Sequence, residues 1–102
     1  MNQFEQVNNE YNYLFQQRLD AKATTYCEIP RPNTQQRGVK HITWQVQSDV
    51  KVYATLSENR NGTNTVWEEV SPNSQLSPCV TALKFVSSSS FKKKIIVRVI
   101  ME

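Results

Sequence analysis

The sequence predicts a mainly β protein, in which an N-terminal amphipathic α-helix and an extended arm precede a small antiparallel β-sandwich or barrel of five to six strands. Apolar residues recur at intervals of three and four near the N-terminus, and at every second position from residue 41 onward. The stretch between them contains two prolines, which favour extended backbone. We therefore divide the 102 residues into a helix (1–24), an arm or linker (25–40) and a β-domain (41–102).

The helix is predicted from a stripe of apolar residues that one face of an α-helix would share. The stripe consists of Phe4, Val7, Tyr11 and Leu14. Four asparagines between residues 2 and 23 lower the intrinsic helix propensity, so tertiary packing would have to hold the helix in place. We expect the stripe to make subunit contacts. The alternative is that the helix folds back on its own β-domain.

The arm is predicted from proline, which fixes φ and removes an amide donor. We therefore expect an extended backbone at Ile29, Pro30 and Arg31. We expect them to lie across a neighbouring chain and to add main-chain hydrogen bonds at a sheet edge. Just before them, Tyr26 and Cys27 could form a short edge strand together with Ile29.

Two strands are predicted at 41–47 and 49–57, with a turn at Ser48 and Asp49 between them. In each strand apolar and polar residues alternate, so one face is expected to be buried. The residues expected to face inward are Ile42, Trp44 and Val46 in the first strand, and Val50, Val52, Ala54 and Leu56 in the second.

The segment 59–63 predicts a three-residue hairpin turn with a bulge, because its glycine can adopt a left-handed conformation. This turn sets Val52 opposite Val70. A two-residue turn would set Tyr53 opposite Val70 instead and would separate the small aliphatic residues. Further strands are predicted at 79–86, which is apolar on both faces as a central strand should be, and at 91–100.

Neither catalysis nor metal or cofactor binding is indicated. His41 is the single histidine, and Glu68 and Glu69 would point to opposite faces of a strand. The sequence contains no phosphate-binding loop or catalytic motif. Cys27 and Cys79 are far apart and match no metal or redox spacing, so we expect two free thiols.

The bulk properties disfavour two further classes of protein. The net charge is +3, a weaker basic excess than dedicated nucleic-acid binders usually carry. No signal peptide and no transmembrane segment are recognisable. Nucleic acid and membrane are therefore not expected as partners.

The aromatic residues suggest alternatives. Trp67 and Tyr53 are expected on the face opposite the aliphatic one, where exposed rings could stack on pyranose sugars. This predicts a carbohydrate-binding β-sandwich module as the alternative function. An OB-like single-stranded nucleic-acid binder is the second alternative, disfavoured by the weak charge. A third interpretation needs no ligand and packs both rings under the N-terminal helix.

The stretches 42–44, 49–57 and 65–70 resemble small β-sandwich proteins of tailed bacteriophage virions, namely capsid cement, head-fibre and connector subunits. The resemblance implies a short protein without an export signal, whose β-domain is paired with a terminal helix or arm that docks on a neighbour. It contains no diagnostic residue, so no functional residue is carried over. We therefore expect a non-enzymatic virion structural protein, assembled in the host cytoplasm as a trimer or ring with other virion proteins.

Overall fold

The structure, a computed structural model, describes residues 4–56, 65–72 and 74–102. Eight β-strands lie within these ranges. Their bounds are β1 Glu5–Gln6, β2 Asn12–Leu19, β3 Thr24–Glu28, β4 Val39–Val46, β5 Val50–Thr55, β6 Glu68–Val70, β7 Ala82–Ser87 and β8 Lys93–Met101.

The strands form two antiparallel sheets of four strands each. Sheet A has the order β1-β2-β8-β4, and sheet B has the order β3-β7-β5-β6. The predicted mainly β antiparallel architecture is therefore confirmed, with more strands than the five to six expected.

The chain crosses repeatedly between the two sheets. β2 pairs with β8, β3 with β7 and β5 with β6. These three pairs follow one another along one long antiparallel hairpin that folds across both sheets. In addition, β4 pairs with β8 in sheet A, and β5 pairs with β7 in sheet B. This strand order is the jelly-roll topology of two-sheet proteins. None of the described strands fills the jelly-roll position on the outer side of β4.

The core lies between the inner faces of the two sheets. β8 contributes three completely buried residues, Ile95, Val97 and Val99, and β7 contributes Leu83 and Phe85. Both strands occupy interior positions in their sheets, which confirms the predicted central strand, although β7 begins at Ala82 rather than at residue 79. The alternation of buried and exposed residues along each strand fixes which side chains the outer faces display.

The predicted N-terminal helix is wrong, because the described part of the chain contains strands but no helix. β1 and β2 form a hairpin in which Glu5 pairs with Leu14. Asn8 adopts a φ of 68°, a left-handed conformation that asparagine tolerates in turns and an α-helix excludes. The amide of Val7 donates to the carbonyl oxygen of Asn12 across the turn (2.9 Å).

The spacing of the predicted stripe was misleading because it spans this turn. Within β2 the true period is two: Phe15 and Leu19 are 3% and 2% exposed, whereas Gln16 and Arg18 are exposed. The polar Gln17 falls on the inward-facing side of this alternation and hides the strand pattern. Aromatic residues such as Phe15 fit strands well, and asparagine disfavours helix.

The arm lies along the chain's own sandwich. β3 (Thr24–Glu28) confirms the predicted edge strand, since it is the outer strand of sheet B. The amide of Ile29 then donates to the carbonyl oxygen of Thr81 (3.0 Å), and the amide of Arg37 donates to that of Glu102 (2.7 Å). Ile29 is itself part of the core, 4% exposed.

The central part of the chain follows the sequence prediction closely. β4 and β5 occur where strands were expected, with a turn at Ser48 and Asp49 between them. Val52 pairs with Val70, which confirms the predicted register, whereas the turn at 59–63 lies outside the described residues. Leu56 follows the end of β5 and is 62% exposed, so its expected inward orientation is wrong.

Candidate functional site: an aromatic surface on sheet B

Four residues from the four strands of sheet B stand in one row on its outer face. Lys84 of β7 pairs with Tyr26 of β3 on one side and with Tyr53 of β5 on the other, and Tyr53 pairs with Glu69 of β6. Directly opposed residues in antiparallel strands point to the same face. Residues that are distant in sequence therefore become immediate neighbours.

Trp67, just before β6, extends this row into an aromatic cluster. The Tyr26 and Trp67 rings lie 5.7 Å apart between centroids, with their planes inclined at 51°. The Lys84 ammonium lies over two rings, 4.7 Å from the centroid of Tyr53 and 5.3 Å from that of Trp67, both within cation–π range. We refer to Tyr26, Tyr53, Trp67 and Lys84 as the aromatic surface.

Tyr26, Tyr53 and Lys84 point outward because their neighbours along each strand are buried in the core. Tyr26 stands between Thr25 and Cys27, and both of these neighbours are buried. Tyr53 stands between the buried residues Val52 and Ala54 in the same way, and Lys84 between Leu83 and Phe85. Since successive strand residues face opposite sides, burial of the neighbours places all three on the outer face.

The aromatic surface is accessible without being fully exposed. Tyr26 is 49% exposed, whereas Tyr53, Trp67 and Lys84 are half-buried. Exposed ionisable residues of both signs surround the cluster on the same face: Glu28, Lys51 and Glu69. An apolar and aromatic centre with a charged rim is the general anatomy of a protein–protein contact.

The structure brings together both residues predicted for ligand stacking, Trp67 and Tyr53. It adds Tyr26 and Lys84, which sequence reasoning missed. Tyr26 lay in the segment interpreted as a linker, and only the register of β7 against β3 and β5 shows that Lys84 stands between the tyrosines. Trp67 and Tyr53 do not pack under a helix, since none of the described residues is helical.

The residues predicted to form subunit contacts are distributed over several parts of the fold. Ile29 is buried, and Phe4 packs against the core. The others are half-buried or exposed, namely Val7, Tyr11, Leu14, Pro30 and Arg31. Of these, Leu14 lies on the outer face of sheet A opposite Arg98. A role for any of them in subunit contacts stays a prediction.

A groove of about 430 Å³ lies beside the sandwich core at the β6 edge of sheet B. Its lining is mainly aliphatic and includes Leu56 and Val66, which are 62% and 71% exposed. Among the described residues, Glu68 is the single ionisable one that lines it.

Histidine, cysteine and acidic side chains are the groups that could hold a metal ion. Within the ranges that the structure describes, no three histidine, cysteine or acidic side chains are grouped so as to hold a metal ion. Both cysteines are free, as predicted. Cys27 is buried, and this burial raises the pKa of its thiol, whereas Cys79 is exposed. No helix among the described residues is long and apolar enough to span a membrane.

The chain matches no protein-family model, and it has no significant match among curated proteins or solved structures.

Proposed function

We propose that this chain is a non-enzymatic structural subunit of a bacteriophage virion, of the capsid cement, head-fibre or connector type. It acts by contacts with copies of itself and with other virion proteins. The aromatic surface is the observation that carries this proposal, because tyrosine and tryptophan are the residues most enriched at the energetic centres of protein interfaces.

The architecture supports the same proposal by analogy. Jelly-roll sandwiches occur in viral capsid proteins, as well as in lectins and cupins. A fold alone does not define a function, but a rigid two-sheet sandwich suits a protein that works through its outer faces. In such a protein each sheet can present one flat surface to a neighbour while the other side of the sheet forms the core.

The chemistry of the surface fits a protein partner. The rings provide a large contact area with few rotatable bonds, so little side-chain entropy is lost when they are immobilised. The half-buried Lys84 ammonium can be paired with a carboxylate or carbonyl group of the partner. The charged rim carries both signs. It would determine the orientation of the partner more than the strength of its binding.

The experiment compares two aromatic-to-alanine variants by sedimentation velocity. Trp67→Ala removes the ring that joins Tyr26 to Lys84. Phe91→Ala is the matched control, because Phe91 is an aromatic residue outside this surface and is 76% exposed. We expect Trp67→Ala to weaken self-association at least tenfold and Phe91→Ala to leave it unchanged, with both variants folded by circular dichroism. Equal association of Trp67→Ala and the wild type would contradict the proposal.

A carbohydrate-binding module is the second candidate, favoured by the same cluster of Tyr26, Tyr53 and Trp67. Aromatic rings on an exposed sheet face can stack on pyranose rings. The Lys84 ammonium already lies over Tyr53 and Trp67, however, so a sugar would have to displace it or use the opposite ring faces. The OB-like alternative gains no support from the fold, since an OB-fold is a five-stranded barrel.

A glycan array distinguishes the two candidates. The carbohydrate candidate predicts binding by the wild type that Trp67→Ala abolishes and Phe91→Ala retains. Self-association with no glycan bound favours the virion subunit. Glycan binding by a protein that remains monomeric favours the carbohydrate-binding module.

A further inference from the structure

The outer edge of β4 presents a row of backbone groups to its surroundings. The amide of Gln47, just after β4, donates to the carbonyl oxygen of Lys94 (3.4 Å). In an antiparallel pair the hydrogen-bonded residues alternate along the strand, so Thr43 and Gln45 direct their backbone groups toward β8. Ile42, Trp44 and Val46 consequently direct theirs away from sheet A. No backbone hydrogen bond between described residues satisfies these three.

From His41 onward this edge has less of the protection that the other sheet edges carry, whereas Lys40 and the bulge between Val39 and His41 protect its start. Proteins usually shield exposed edges by making the strand short or by placing charged residues on it. β1 and β6 have only two and three residues, and β3 ends in Glu28. β4 has eight residues, and apart from Lys40 near its start it contains no residue that is charged when its histidine is neutral.

In the neighbouring segment, the described residues Ser74 and Gln75 form no backbone hydrogen bond with this edge. The indole nitrogen of Trp44 donates to the carbonyl oxygen of Ser74 (3.2 Å). This contact uses the side chain of Trp44, which points into the sandwich, and not its backbone groups. A cleft of about 320 Å³ lies between Ser74 and Gln75 on one side and residues 41–44, in the middle of β4, on the other.

We propose that the β4 edges of two copies of this chain pair antiparallel about a twofold axis at Thr43 and join their A sheets into one eight-stranded sheet. This inference rests on the proposed function, to which it adds the site and geometry of one subunit contact. Ile42 would then face Trp44 of the second copy, and His41 would face Gln45. Main-chain hydrogen bonds supply the attraction in such strand addition.

A second copy fits this edge because the strand is complementary to itself. The pairing places the inward-facing apolar residues of both copies on the core side, so each sandwich lengthens the apolar layer of the other. On the outer face, neutral polar residues oppose neutral polar residues. Thr43 meets its own counterpart, a cross-strand pair that stabilises antiparallel sheets, and no like charges are opposed.

The test introduces a lysine at the axis and compares it with a lysine elsewhere on the same face. Thr43→Lys opposes two like charges in the dimer, whereas Gln16→Lys places the charge on β2, an interior strand of sheet A. By sedimentation velocity we expect Thr43→Lys to weaken the association at least tenfold and Gln16→Lys to leave it at the wild-type level. Association of Thr43→Lys at the wild-type level would overturn the inference.

A disulfide experiment tests the register in full-length protein that carries Cys79→Ser. Residues opposed in a non-hydrogen-bonded pair are about 4.5 Å apart between Cα atoms, a distance that a disulfide can bridge. Under mild oxidation we expect Thr43→Cys to form a covalent dimer and Gln16→Cys to form none. If Thr43→Cys forms no more dimer than Gln16→Cys, this pairing is overturned. If the wild type assembles while both β4 tests fail, the proposed function stands without this contact. A monomeric wild type would contradict both.

Discussion

The ring of Phe4 lies against the ring of Phe15, with 5.6 Å between centroids and 42° between their planes. This separation lies within the range of favourable aromatic pairs. It shows that the N-terminal hairpin closes on the chain's own core, since Phe15 is buried in that core. Phe4 is therefore partly shielded within the subunit, and the proposed subunit contacts lie on the outer face of sheet B and the edge of β4.

The first prediction concerns the anchoring of the N-terminal hairpin. Phe15→Ala should lower the free energy of unfolding by about 3–5 kcal/mol, because it removes a buried ring and leaves a cavity. Gln16→Ala, one residue along β2 on the outer face, should change it by no more than about 0.5 kcal/mol. Urea unfolding of both variants checks this. Equal stabilities would mean that β2 does not pack against the core as described.

The second prediction concerns the buried side chain of Gln36, which ties the arm to the hairpin. Its amide nitrogen donates to the carbonyl oxygen of Glu10 (2.8 Å) and to the hydroxyl of Tyr13 (3.2 Å). Its oxygen accepts from the amide of Asn33 (3.0 Å). Gln36→Ala removes the hydrogen-bond partner of the Glu10 carbonyl, the Tyr13 hydroxyl and the Asn33 amide. It should therefore lower the free energy of unfolding by about 1–3 kcal/mol.

The matched control for Gln36 is its neighbour, the exposed Gln35. Gln35→Ala should change the free energy of unfolding by less than about 0.5 kcal/mol. Thermal unfolding of the two variants under the same conditions checks both values. A Gln36→Ala protein as stable as Gln35→Ala would show that the arm is not held by this side chain.

Part of the fold could be predicted from the sequence and part could not, depending on how regularly apolar and polar residues alternate. Strict alternation predicted β4 and β5, and the requirement to keep aliphatic residues together predicted the pairing of Val52 with Val70. At the N-terminus the same logic failed, because the turn at Asn8 separates two strands whose apolar residues happen to be three and four positions apart. The strand period in β2 was obscured by the inward-facing Gln17.

The candidate site was predictable only in part for a related reason. Tyr53 lies on β5 and Trp67 lies just before β6, and one hairpin is predicted between these strands, so a local register places both residues on one face. Tyr26 and Lys84 reach them through pairings between distant segments, which alternation within a single strand does not reveal. The edge character of β4 likewise depends on the order of strands in the whole sheet.

The third prediction concerns the coupling within the aromatic surface. Lys84→Met retains most of the alkyl chain but removes the ammonium that lies 4.7 Å from the centroid of Tyr53. In a double-mutant cycle with Tyr53→Leu, the two sites should show a coupling of about 0.5–1 kcal/mol in the free energy of unfolding, as expected of a partly exposed cation–π pair. Additive effects of the two substitutions would contradict this contact.

The fourth prediction is a pH dependence of stability due to Cys27. Its burial raises the pKa of the thiol above the ordinary value of 9.0, and a weaker hydrogen bond with the backbone of Leu83 acts in the opposite direction. The folded state therefore keeps the thiol proton while the unfolded state releases it above about pH 9. This contribution to stability is fully present below pH 9 and is lost as the pH rises, by up to about 1.4 kcal/mol per pH unit.

Denaturant unfolding between pH 8 and pH 10 measures this slope. Cys27→Ala should remove the part of the slope that the thiol contributes, whatever its effect on absolute stability. Cys79→Ala is the control and should retain it, because Cys79 is exposed. An identical slope in all three proteins would show that Cys27 is ionised equally in the folded and unfolded states.

The mass of the wild-type protein in solution, measured by multi-angle light scattering, tests the proposed function most directly. A subunit has a mass of 11.8 kDa. We expect a species of two or more subunits at micromolar concentration, since the β4 edge pairs two copies and the aromatic surface provides a second, separate contact on each subunit. A single species of 11.8 kDa that persists at millimolar concentration would contradict an assembly subunit that associates with copies of itself.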